Sequence, residues 1–254
     1  SNAVPRLIAN LRSPCKGLIG PWAHTFPHLG VPGPAIGFLQ EAVRWWDRWL
    51  KGIDNGIERE PTLRVWMQEA VRPAPQYETV PGRWVAEPAW PSPNVVPRTF
   101  YLGSDGCTEE PGEPEALIVS SPQSCGIRGG EWCAFGSDGE MPRDQRPDDG
   151  FSLTWDTPRL KDRLEILGAP VVSLALRSDQ ANANVIVRLC DVAPDGTSLR
   201  VSYGVLNLAH RDGHAAPAPL VPGERYTVEV RLNDIAHAFP AGHRLRVAVS
   251  TAYW

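Results

Sequence analysis

The chain has 254 residues, 42% of them hydrophobic, with 25 basic and 29 acidic side chains and a formal net charge of −4. That length holds one large or two ordinary domains with real cores, and the mild charge balance speaks against a nucleic-acid partner. No apolar run reaches the roughly 18 residues of a membrane span, which speaks against a membrane partner.

Val4 to Leu11 predicts a short helix. The Ser1-Asn2-Ala3 before it reads equally as a tag remnant or as native sequence. Gly17 to Gly20 predicts the end of a buried strand, which runs into Gly20-Pro21-Trp22-Ala23-His24 and then a loop rich in Pro and Gly, Thr25 to Pro34. From Ala35 the apolar residues fall in helical steps: Phe38 and Leu39, Ala42 and Val43, Trp45 and Trp46, Trp49 and Leu50. Gly52 stands where a left-handed cap closes such a helix, with Lys51 at the negative end of its dipole. Its three tryptophans predict a wide apolar face for a core or an inter-domain contact.

After Pro61 the apolar period becomes two. Thr62 to Met67, Val171 to Leu176, Val185 to Leu189, Tyr226 to Leu232 and Leu245 to Val249 all read as strands, the last two with one face on a core and one in water. Pro194-Asp195-Gly196, Pro222-Gly223-Glu224 and Ala241-Gly242 are turn signals. Residues 103–150 lack apolar periodicity and predict a long excursion across the surface. The predicted fold is therefore mainly β: a jelly-roll β-sandwich over residues 58–254, preceded over residues 1–57 by the C-terminal remnant of an α/β-hydrolase domain. The end at Thr251-Ala252-Tyr253-Trp254, directly after a strand, reads as cut.

Five scattered cysteines, Cys15, Cys107, Cys125, Cys133 and Cys190, suit reduced thiols in a cytoplasmic protein. A loop disulfide between Cys125 and Cys133 is the alternative. No cofactor motif occurs. His210, His214 and His237 are weak metal-ligand candidates, because they lack a short, regular spacing and sit in turn-like segments, so no metal is expected.

His24 is the candidate catalytic residue. A histidine on the turn after a strand is where an α/β-hydrolase keeps its general base, and there the chain order is Ser, then Asp or Glu, then His. No Gly-x-Ser-x-Gly occurs in the sequence. The nucleophile and the acid are then expected ahead of residue 1, and Pro21 and Trp22 are expected to stiffen the turn and shield the ring. His28, in the Pro-rich loop, is the weaker competitor. His243 is expected to donate to a backbone carbonyl, and Asp191 and Asp195 to serve turn hydrogen bonds. Trp84 to Trp90 reads as packing before acyl-pocket lining. A non-catalytic jelly roll that binds carbohydrate, or one that mediates dimerisation, is the competing reading.

Four ordered blocks carry a resemblance: Gly20-Pro21-Trp22-Ala23-His24, Arg48-Trp49-Leu50-Lys51-Gly52, Leu189-Cys190-Asp191-Val192-Ala193-Pro194-Asp195-Gly196 and Gly242-His243-Arg244-Leu245-Arg246-Val247. Together they resemble the X-Pro dipeptidyl-peptidase and cocaine esterase family, which also holds α-amino-acid ester hydrolases and glutaryl cephalosporin acylases. The resemblance implies a serine hydrolase with a Ser-Asp-His triad, of which this chain supplies His24 and the jelly roll. It implies a small ester, amide or peptide as substrate and leaves room for a homo-oligomer. The family's acid lies in a Gly-Trp-x-Asp turn that is not found here. Two departures, at Cys125 to Cys133 and at Ala181 to Asn184 after Ser178-Asp179, imply a divergent subgroup and leave peptidase specificity open.

Overall fold

A computed structural model of the chain describes residues 2–113, 115–131 and 139–253. Helix α1 (Ala3–Asn10) turns Pro5 and Ile8 inward against Leu63, Val65 and Met67. Strand β1 (Gly17–Ile19) and helix α2 (Phe38–Lys51) follow. The cap expected at Gly52 is present: its φ is 72°, and its N–H reaches the Asp47 carbonyl. A glycine there avoids the steric cost that a Cβ brings in the left-handed region.

Strand β2 (Leu63–Glu69) alternates as period two requires, with Leu63, Val65 and Met67 buried. It is the hub of a five-stranded sheet. Strand β3 (Gly82–Glu87) runs antiparallel along one edge of β2. On the other edge β1 pairs in parallel beside Leu63, Arg64 and Val65, and β12 (Ile235–Phe239) pairs in parallel beside Gln68 and Glu69. Strand β7 (Leu164–Gly168) closes the sheet against β12. The strand that the sequence placed at the end of an α/β sheet is thus hydrogen-bonded to the first strand of the β-rich segment.

The second layer orders β10 (Ser198–Asn207), β9 (Asn184–Val192), β13 (Arg244–Ser250) and β6 (Leu153–Asp156), all antiparallel. A ribbon of β8 (Val171–Arg177) and β11 (Arg225–Arg231) completes the sandwich. Val185, Val187 and Leu189 of β9 meet Val228 and Val230 of β11, Phe239 of β12, and Leu245 and Val249 of β13 in the main core. The fold is mainly β, as the sequence pattern predicts.

The described residues between 101 and 150 hold little regular structure: the hairpin of β4 (Tyr101–Gly103) and β5 (Gly106–Thr108), and the single turn α3 (Arg146–Asp149). This excursion roofs the outer face of the second layer, which corrects the expectation of water there for β13. Arg188 of β9 is fully buried and ion-paired to Asp149 at 2.9 Å. Arg246 of β13 pairs with the same carboxylate at 2.9 Å and with Asp156 at 2.6 Å. Cys15, Cys107, Cys125 and Cys190 are free thiols; Cys133, the partner considered for Cys125, lies outside the described residues. Burial pushes Cys190 up to about 12.

Candidate functional site

His24 sits on the turn that leaves β1, with its ring at the surface. The turn is built by local hydrogen bonds. Ala23 N–H donates to Val31 O at 3.1 Å, Thr25 N–H to Ala23 O at 2.7 Å, and the Thr25 hydroxyl to Val31 O at 3.2 Å. The loop is then stitched to the segment that leads into β3. Gly33 N–H donates to Glu78 O at 2.7 Å, and Val80 N–H returns to Gly33 O at 3.1 Å. Trp22 donates its indole N–H to Pro34 O at 2.8 Å and tilts against Trp84 with centroids 6.3 Å apart. Its ring also folds over Gly20.

One contact reaches the turn from the distant excursion. The His24 backbone N–H donates to Glu140 Oε1 at 2.7 Å, across 116 residues of sequence. Met141 N–H beside it donates to Pro75 O at 3.0 Å. A crevice of about 10 Å³, room for one water, lies between Ala23, Pro32, Tyr77 and Glu140. Burial raises the Tyr77 hydroxyl from its ordinary value, so it stays protonated while it donates to Arg72 O at 2.9 Å and accepts from Ala74 N–H. Chemically, the arrangement holds the backbone of an imidazole-bearing turn still.

The other candidates are dispersed. His28 stacks on Phe26 and Phe38, with centroids 5.7 and 6.5 Å away. Trp84 meets Trp66 edge-on at 5.3 Å, and Trp90 packs on the α1 core, so both pack as expected. Asp195 accepts from Thr197 N–H within its turn.

Asp191 and His243 do something else. Asp191 is almost fully buried; its Oδ2 meets His237 Nε2 at 2.9 Å and its Oδ1 meets His243 Nδ1 at 2.6 Å. A carboxylate accepts only, so it fixes the proton on each of those nitrogens. His237 lies in β12, not in a turn. The three residues clasp the two sheet layers together. The sequence offered no signal for this, because the separations of 46 and 52 residues match no local pattern.

Among the described residues no group of three or more His, Cys, Asp or Glu is placed to hold a metal ion. Among them also, no helix is long and apolar enough to cross a membrane.

The profile of the X-Pro dipeptidyl-peptidase C-terminal non-catalytic domain matches residues 55–254. A Mycobacterium bovis protein named as a candidate serine esterase is 27% identical over 264 residues, covering 92% of this chain and 40% of its own length. The cocaine esterase of a Rhodococcus species is 25% identical, covering 92% of this chain and 43% of its own. An α-amino acid ester hydrolase structure superposes with a TM-score of 0.71 at 20% identity, over 98% of this chain and 44% of that one; at that identity it shows the fold alone. The chain thus spans less than half the length of the relatives it matches. His24 precedes the profile's match, but a span of 92% of the chain includes it. The chain belongs, through residues 55–254, to the family of X-Pro dipeptidyl-peptidase C-terminal non-catalytic domains.

Proposed function

We propose that this sequence is the C-terminal portion of a longer serine hydrolase, and that His24 is the general base of its triad. The polypeptide as a whole cleaves an ester or amide, such as an acyl ester or an X-Pro dipeptide bond, through an acyl-serine intermediate. His24 takes the proton of a serine located elsewhere in the polypeptide and returns it to the leaving group. The jelly roll covers that centre and shapes the acyl side of the pocket. The free thiols fit a reducing compartment.

The observation that carries this reading is the His24 turn itself, which follows the carboxyl end of β1, is tied to the segment leading into β3 and is gripped at its backbone by Glu140. A second observation supports it. The polar side of α2 is fastened by ion pairs from Arg44 and Arg48 to Glu60 and Glu58. Its other side presents Leu39, Val43, Trp46 and Leu50 in one helical stripe, each 54–74% exposed. A stripe of that spacing is a packing face, and the remaining half of the polypeptide is its proposed occupant, since the relatives are more than twice as long.

Catalysis needs the nucleophile, so the chain alone should not turn over. With p-nitrophenyl acetate the full-length polypeptide should release a burst of p-nitrophenol and carry an acetyl group on one serine by mass spectrometry. This chain alone should do neither. Steady hydrolysis by the isolated chain that disappears in His24→Ala would overturn the division of labour proposed here.

A further inference from the structure

We propose that His210 and His214 form a two-imidazole chelate for a divalent transition-metal ion of the zinc, nickel and copper class. The proposal stands apart from the reading of His24. Their Nδ1 atoms lie 3.2 Å apart, with ring centroids at 5.1 Å and planes inclined by 49°. A metal ion holds histidine nitrogens at about 2.0–2.1 Å, so two on one ion stand about 3.3 Å apart at a tetrahedral angle and about 2.9 Å at a right angle. The observed separation falls between these limits.

The loop that carries the pair is already ordered. Leu208–His210 forms one 3₁₀ turn, capped by the Asn207 side chain. Gly213 N–H donates back to His210 O at 3.0 Å, and Ala218 N–H to Ala209 O at 2.8 Å. Arg211 sits inside the loop, donates to Leu208 O and Ala218 O, and lays its guanidinium 4.6 Å from the Tyr226 ring centroid. A pre-formed pair of ligands binds without the ordering cost that a flexible loop incurs. Two protein nitrogens leave the other coordination positions to water. Neutral imidazole donors favour copper, nickel and zinc over magnesium and calcium. Their spacing of four, folded around a turn, is what brings the rings together.

The rival account is a plain hydrogen bond between two neutral imidazoles, which binds no ion. Isothermal titration of the chain, free of any His tag, with nickel chloride and with magnesium chloride separates the two. The proposal expects one equivalent of nickel bound and no magnesium. It expects His210→Ala and His214→Ala each to weaken nickel binding about tenfold or more, and His28→Ala to leave it unchanged. Electron paramagnetic resonance of the copper-loaded chain should show coupling to two imidazole nitrogens, falling to one in either variant. Absence of nickel binding, undiminished binding in either variant, or coupling to a single nitrogen in the parent chain overturns it.

Discussion

Gly20 is a position where nothing larger than hydrogen fits. A Cβ there would lie 2.5 Å from the Trp22 ring, closer than carbon atoms approach. Gly20→Ala should therefore displace the indole from Pro34 and Trp84 and cost about 1–3 kcal/mol as overpacking does. A urea titration checks this: the midpoint should fall with the slope unchanged. The same substitution should loosen the His24 turn. Asp191 makes the opposite point about what a sequence reveals at this scale. Gly20 to His24 stood out because strand, turn and histidine are contiguous. Asp191, His237 and His243 meet from two strands in different sheets and the turn before a third strand, and each alone reads as an ordinary turn or strand residue.

Among the elements, α3 and the excursion around it matter more than their irregular sequence suggested. Arg188 projects from β9 away from the main core, where Asp149, Gln145 and Ser152 meet it under the roof. Arg188→Met should leave Asp149 with only Arg246 and cost about 3–5 kcal/mol, the usual result of removing one partner from a buried pair. Thermal unfolding of the variant measures it, and a change below about 1 kcal/mol would mean that the roof does not stabilise the sheet. The strands of the sandwich were legible because period two is written into Val, Leu and Arg alternation. The roof was not, because an aperiodic loop carries no such signature. The pairing of β1 with β2 was hidden for a related reason: three residues in parallel register across 46 positions leave no local trace. Helix α2 was readable to its cap, but its apolar face was expected to be covered, and in this chain it has no buried residue.

At the scale of the whole molecule, the first residues are tied to the far end of the sandwich. Asn2 Nδ2 donates to Asn233 Oδ1 at 2.7 Å, and Asp234 N–H donates to Asn2 Oδ1 at 2.8 Å. The Asp234 carboxylate is buried there with no hydrogen-bond partner among the described residues. Burial raises its pKa from the ordinary value, with Arg231 opposing. A raised carboxyl binds its proton more tightly folded than unfolded, so its contribution favours folding at low pH and is lost as pH rises through the folded value. Asp234→Asn should accordingly stabilise the chain at neutral pH and remove that part of the acid-range slope, as unfolding midpoints across pH will show. The assembly proposed here joins this tied-down sandwich to a longer polypeptide through the His24 turn and the open face of α2. Its most direct test is the rate of p-nitrophenyl acetate hydrolysis by full-length His24→Ala with a circular dichroism spectrum matching the parent. The account predicts a fall of about 10⁴-fold or more in kcat, as for loss of a triad member; a rate within about tenfold of the parent would contradict it and pass the role of base to another residue.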